Sequence, residues 1–307
     1  RWNLFTKLKY DISSTQSVTI AGNYLDRTHG NYFWWKSLTE ATRPAESQLN
    51  GMVASRRGNV SLSYKEFLSD KFFYTLKGIY FGNFWRDDSA GRVNNVSASH
   101  LFNFDFQATY DINRYNVLTF GVAMNYDRVS ANLFGAHPGV GAAAYAQDEI
   151  AVTSDLKVTA GLRFDWQKVS VLKSTSQVNP KLGLVYMPDK ETSIRASFGS
   201  GFRYPAIGEL YIESSTNVST IVVLPNPDLK VETSLSYEVG MNRSFGRMMS
   251  IDLALFTNDF GNLIEPSVRI KSYHPYPSSP LEVTGPVIQF ENVTKARIQG
   301  LETVIRV

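Results

Sequence analysis

The chain contains no cysteine among its 307 residues, which excludes disulfide staples and thiolate metal ligands. It has no apolar run of the roughly 18 residues that a membrane-spanning helix needs, although 43% of it is hydrophobic. Charge of one sign is also scarce: 31 Lys and Arg stand against 28 Asp and Glu, a net +3. That is too little over this length to imply a nucleic-acid-binding face or a trap for acidic substrates. Only four histidines occur, His29, His100, His137 and His274, none with an i, i+4 partner, so no zinc-type ligand set is spelled out. GxSxG, HExxH, GxGxxG and P-loop signatures are missing. The acid pairs Asp87-Asp88 and Asp148-Glu149 read as solvated rim charges rather than acid–base couples. The expectation is therefore no catalytic residue, no resident metal, no cofactor and no nucleic-acid partner.

What is present is a period of two. Leu156, Val158, Ala160, Leu162, Phe164 and Trp166 alternate with Lys157, Thr159, Gly161, Arg163 and Asp165, the pattern of a strand with one oily and one wet face. Leu118, Phe120, Val122, Met124 and Tyr126 repeat it. About thirteen such strands can be counted, and no helical interlude separates them, so residues 1–307 read as one all-β domain. Short turns, such as Ser69-Asp70, Asn113-Arg114 and Asp189-Lys190, alternate with longer connections. The latter are expected from Asp26 to about Gly58, around Trp85 to Asn95, at Gly135 to Gly139, at Lys168 to Gln177, between Arg203 and Glu232, and from about Phe260 to Pro286. That asymmetry is the one shown by outer-membrane barrels, with short turns on one side and longer loops on the other. The twelve prolines all read as lying at strand ends or in loops, as residues that cannot donate to a ladder should. Gly141 to Ile150 is an ambiguous stretch.

A magnitude sets the register. A basic side chain on a lipid-facing surface costs about 2–4 kcal/mol near the midplane, and slipping the strand from Leu156 to Trp166 by one residue would expose Lys157 and Arg163 together. The apolar face should be outside, and Lys65, Lys157, Arg163, Asp165, Arg195, Glu238 and Asp252 should line a lumen. Tyr10, Tyr24, Tyr126, Trp166 and Tyr186 suit an aromatic girdle.

The long loop carries the motifs. Gly201-Phe202-Arg203-Tyr204-Pro205 and Glu209-Leu210-Tyr211 open it, and Asn226-Pro227-Asp228-Leu229-Lys230 leads through Val231 to Glu232 and closes it. Tyr237-Glu238-Val239-Gly240, Asn292 and Gly300-Leu301-Glu302 follow. In this order the segments strongly resemble the TonB-dependent outer-membrane receptors; Val231 stands where that family usually has proline. The resemblance implies an antiparallel transmembrane β-barrel of about 22 strands, of which this chain supplies about 13. A plug domain and the TonB-contacting segment are expected to lie outside it. It further implies TonB-dependent import of a scarce large ligand, foremost a ferric siderophore, across the bacterial outer membrane, with outer-membrane lipid, TonB and a small-molecule metal chelate as partners. A passive porin-like or structural barrel is the alternative, and haem or cobalamin the alternative cargo within the family. Haem-receptor variants carry a histidine between the two boxes; residues 206–224 contain none. For ligand contact the candidates are Trp34, Trp35, Trp85, Arg203, Tyr211 and Tyr276, because aromatic faces and guanidinium groups suit flat, anionic iron chelates.

Overall fold

A computed structural model describes residues 1–30, 35–46, 49–89, 92–215, 222–246, 248–274, 280–293 and 295–307. The alternating segments form strands β1 (Trp2–Asp11), β2 (Gln16–Gly30), β3 (Met52–Ser69), β4 (Phe72–Ser89), β5 (Arg92–Asn113), β6 (Asn116–Ala131), β7 (Gly135–Ala151), β8 (Leu156–Val169), β9 (Thr175–Tyr186) and β10 (Thr192–Arg203). Next come a five-residue helix α1 (Ile207–Tyr211) and two short strands, β11 (Ser214–Ser215) and β12 (Val222–Leu224). The chain ends with β13 (Glu232–Phe245), β14 (Met249–Gly261), β15 (Ile264–Tyr273), β16 (Val283–Asn292) and β17 (Ala296–Arg306). Thirteen of these make one sheet in the order β1 to β10, β13, β14, β17; β11, β12, β16 and β15 make a second, smaller one. All pairings in the large sheet are antiparallel between neighbours. This is a 13-stranded, unclosed section of an antiparallel barrel.

Exposure is inverted relative to a soluble sheet. On β8, Leu162 is 54% and Phe164 46% exposed, while Asp165 between Phe164 and Trp166 is 7% exposed. Met124 on β6 and Val239 on β13 are likewise open on the outer face. An apolar outer band with charge folded inward is the arrangement of a lipid-facing wall. From Leu156 to Trp166 there are ten steps of about 3.3 Å, which at a tilt of about 40° span about 25 Å, the height of such a band. Its upper border is marked by repeated pairs two residues apart on the same face: Tyr24 then Asp26, Tyr126 then Arg128, Trp166 then Lys168. These aromatics therefore close the apolar band rather than the strands, which continue past it toward the long-loop end.

That continuation corrects three expected loops. Trp85 and Asn95 lie in β4 and β5, Gly135 to Gly139 in β7, and half of 168–177 is the facing ends of β8 and β9, leaving a connection of 170–174. Strand pairing beyond the band satisfies backbone groups that a loop would leave to water. The ambiguous Gly141 to Ile150 run is regular β7, paired on both sides. Four prolines are also inside strands, against expectation. Pro138 and Pro180 fall one residue beyond the end of the ladder to β8 and to β10, respectively, and Pro286 one residue beyond that to β12. Pro266 sits on the edge strand β15. In each place a ladder hydrogen bond can be absent.

Candidate functional site

At the long-loop end, Arg203 closes β10 opposite Glu232, which opens β13. Its guanidinium donates through Nε and Nη2 to the two Glu232 oxygens, the latter at 2.8 Å. Nη1 donates to both Glu209 oxygens at 3.0 and 2.9 Å. Both carboxylates are used twice: Glu209 also accepts the Ala206 N–H at 2.7 Å and so starts α1, and Glu232 accepts the Ile264 N–H at 2.7 Å and so starts β15. Charge-assisted, forked contacts of this kind fix geometry as well as energy. The Arg203 guanidinium holds the Glu232 carboxyl below the usual carboxylate range, assisted by the Ile264 N–H and opposed by partial burial.

Two asparagines complete the brace. Asn226 donates from Nδ2 to the Phe290 carbonyl at 2.8 Å, accepts the Asp228 N–H at 3.2 Å, and sends its own N–H to Leu210 at 2.9 Å. Asn292 donates to the carbonyls of Lys230 (2.9 Å) and Asn262 (2.7 Å) and accepts the Lys230 N–H at 2.8 Å. Asn262 has φ 55°, a left-handed turn that asparagine tolerates well, and there the chain leaves β14 for the β15–β16 hairpin. Pro205 and Pro227 stiffen the segments entering and leaving the loop. Thus Arg203, Glu209, Asn226, Glu232 and Asn292 tie the loop entrance, the loop exit and the next hairpin into one unit.

The brace continues into an apolar cluster. Ile207 and Leu210 of α1 are buried with Val169 from β8, and Val129, Phe134, Leu172, Tyr211 and Leu229 pack around them. Tyr211 stacks on His137 of β7 with ring centroids 3.7 Å apart and planes 8° apart. His137 Nδ1 lies 3.3 Å from the Ser170 hydroxyl, and burial pushes the Tyr211 hydroxyl above its ordinary pKa. The Glu213 N–H reaches the Leu133 carbonyl at 2.7 Å, pinning the loop to the β6–β7 connection. Sequence spacing had set His137 aside as an isolated histidine; no local pattern joins it to a tyrosine in another loop.

Below the brace, on the inner face, Arg195 lies across Gly240 and bonds Glu238 (2.9 Å) and both oxygens of Asp252 (3.1 and 2.9 Å). A Cβ on Gly240 would stand 2.6 Å from that guanidinium, and one on Gly300 would stand 2.9 Å from the Phe256 ring. Both glycines are therefore spaces over which a neighbouring strand's side chain lies flat. Gly201 faces Ser234 in the same close way. Phe202 meets Tyr204 edge-on, Tyr237 packs against Phe198 on the outer face, and Glu302 occupies the inner face of β17. Arg163 pairs with Asp165 at 2.8 Å, Lys65 covers the rings of Phe67 and Phe73, and Lys157 is on the same wall.

Of the ligand-contact candidates, Arg203 and Tyr211 meet in the brace. Trp85 lies on the inner face of β4, six strands from β10, or about 29 Å along the sheet. Trp35 bridges to Pro44 in the connection between β2 and β3 and is half exposed; Trp34 and Tyr276 lie outside the described residues. The structure therefore brings together only part of the set.

Residues 1–306 match the family model described as TonB dependent receptor-like, beta-barrel, and the chain belongs to that family of outer-membrane transport receptors. Among named relatives it is similar to the iron-regulated outer membrane virulence protein of Vibrio cholerae, 29% identical over 122 residues, which are 40% of this chain and 18% of that protein. It is also similar to the vitamin B12 transporter BtuB of Vibrio vulnificus, 34% identical over 113 residues, 36% of this chain and 15% of that protein. The fold is shared with the siderophore receptor PirA of Pseudomonas aeruginosa: TM-score 0.76, 16% identity, 98% of this chain and 52% of that one. The chain spans about half the length of this solved receptor and less than a fifth of the first two relatives is aligned.

Proposed function

We propose that residues 1–307 form one domain, part of the barrel wall and loop set of an active importer of a ferric siderophore, energised through a plug and TonB. The braced loop carries this reading. Its described entrance and exit, residues 203–213 and 222–232, are held by charged hydrogen bonds independent of any cargo, and a braced base of this kind favours preorganised capture. In this reading Arg203 and Tyr211 contribute by holding the loop that faces the ligand. Trp35 and Trp85 supply aromatic surface, and Trp34 and Tyr276 stay candidates for ligand contact on their side-chain chemistry alone. A passive pore has no use for a loop braced at both ends, and the family relationship favours transport over passage. The test is uptake of radiolabelled ferric siderophores by cells carrying the intact receptor with and without TonB. TonB-dependent accumulation is expected, and equal accumulation without TonB would return the reading to a passive barrel. Deleting residues 212–224 should lower uptake while leaving barrel insertion intact; unchanged uptake would remove this loop from the mechanism.

A further inference from the structure

The inner wall of β2 to β5 holds a second cluster, near the extracellular ends of those strands and remote from the brace. In register, Leu25, Arg57, Asn83 and Ser99 form one row across the four strands, and Arg27, Ser55, Trp85 and Ser97 form the next row outward. His29 follows two residues beyond Arg27 on the same face of β2. Arg27 and Arg57 are diagonal neighbours on adjacent strands, about 7–8 Å apart at the backbone. Both are exposed, and among the described residues neither has a carboxylate or hydrogen-bond partner. Asp87, the nearest acid in register, lies beyond Trp85 and has an interaction of its own. By contrast Arg163, Arg195 and Arg203 each face at least one carboxylate.

Beside these free cations, three polar side-chain atoms, His29 Nδ1, Ser55 Oγ and Asn83 Oδ1, are buried with no hydrogen-bond partner, and Ser55 as a residue is only 6% exposed. Like charges side by side in a sheet are destabilising, and so are buried polar atoms left unpaired. Together these features describe a surface shaped for something that brings negative charge and hydrogen-bonding groups to it. The Trp85 indole, directly opposite Ser55, adds a flat face on which an aromatic ring can lie.

We infer that Arg27, Arg57, Ser55, Asn83 and Trp85 form a wall site for an anionic, aromatic, oxygen-rich chelate. This inference rests on the importer reading above and specifies its cargo class. The two guanidinium groups take the anionic oxygens in forked contacts, the serine and asparagine satisfy further oxygen or N–H groups, and the indole stacks on a ring. A neutral chelate of the same size offers the arginines nothing to pair with, so selectivity here is by charge.

The experiment uses the intact receptor, plug included, in detergent, and measures equilibrium binding of two probes: a ferric tris-catecholate, which is a trianion, and a neutral ferric trihydroxamate. The wild type is expected to bind the trianion at least about tenfold more tightly, with a strong dependence on salt. Arg57→Ala and Arg27→Ala are each expected to weaken trianion binding by about tenfold, leaving the neutral probe unaffected. Arg57→Lys should recover part of the loss. A heat-dependent shift in gel mobility confirms that each variant is a folded barrel. Preference for the neutral probe, or alanine variants that bind the trianion normally, would overturn the inference. So would normal affinity accompanied by a protease-sensitive plug, which would make these arginines plug contacts. TonB-dependent import of the trihydroxamate alone would end this inference and leave the importer reading standing; no TonB dependence for any chelate would end the importer reading itself.

Discussion

The inner wall has two kinds of arginine. In the half running from β8 to β14 every guanidinium described above is answered: Arg163 by Asp165, Arg195 by Glu238 and Asp252, and Arg203 by Glu209 and Glu232. In the half running from β2 to β5, Arg27 and Arg57 stand together, among the described residues without a carboxylate, beside buried polar atoms that also lack partners there. The difference teaches that charge on a barrel's lumen serves two ends. A saturated arginine spends its hydrogen-bonding capacity on the protein and fixes strands or loops relative to one another. An unsaturated one retains that capacity for whatever enters the lumen.

If that division is right, removing a saturated arginine should damage architecture. The largest effect is expected at Arg203, where one side chain joins α1, β10, β13 and the start of β15. Arg203→Ala leaves Glu232 and Glu209 without their cation, and loss of a charge partner of this type costs about 2–5 kcal/mol in well-enclosed settings; partial exposure here puts the expectation at the low end. Ligand uptake should fall by about tenfold or more while insertion of the barrel is unchanged, as read by heat-shifted gel mobility. Asn292→Ala comes next. It removes three hydrogen bonds between loop segments, worth about 1 kcal/mol each, and should accelerate amide exchange over residues 225–232 and 262–293 with the rest of the sheet undisturbed. Arg195→Ala is a milder test because its partners are partly open to water. It should lower stability toward denaturant by about 1–2 kcal/mol and leave ligand affinity where it was. A large affinity loss at Arg195 would erase the distinction between the two halves.

The barrel was plainly legible in the sequence, since alternation at Leu156 to Trp166 and at Leu118 to Tyr126 dictates which face meets lipid regardless of tertiary detail. The height of the wall was not. Strand pairing beyond the apolar band has no hydrophobic period to announce it, so Trp85, Gly135, Pro138 and Lys168 looked like loop residues, and Pro180 looked like a strand end. The motif residues were visible by their order, yet their joint role was hidden. Asn292 meets Lys230 and Arg203 meets Glu232 only because the loop and the hairpin return to the same corner. His137 under Tyr211, and Arg57 beside Arg27, are products of register across strands, which no local spacing records.

The smallest expected effect is one of pH, and it sets the two halves apart without a mutation. The Arg203 guanidinium depresses the Glu232 carboxyl. Folding therefore favours its ionised form, and the resulting stabilisation is fully present above the ordinary glutamate range of about 4.3. It is lost as pH falls through the lower, folded-state value. The Glu291 carboxyl, held down by Arg269 in the β15–β16 hairpin, shifts in the same direction. Lowering pH from 7 to 5 should thus leave amide protection in α1 and residues 225–232 intact, and protection should decline only below about pH 4. Among the described residues Arg27 and Arg57 have no carboxylate partner, and the Asp26–Arg56 pair on the opposite face is exposed and weak, so protection of the paired ends of β2 and β3 should remain flat over the same acid range. A decline there in step with the brace would show that the inner face of this half leans on an acid partner too, and the contrast between the two halves would fail.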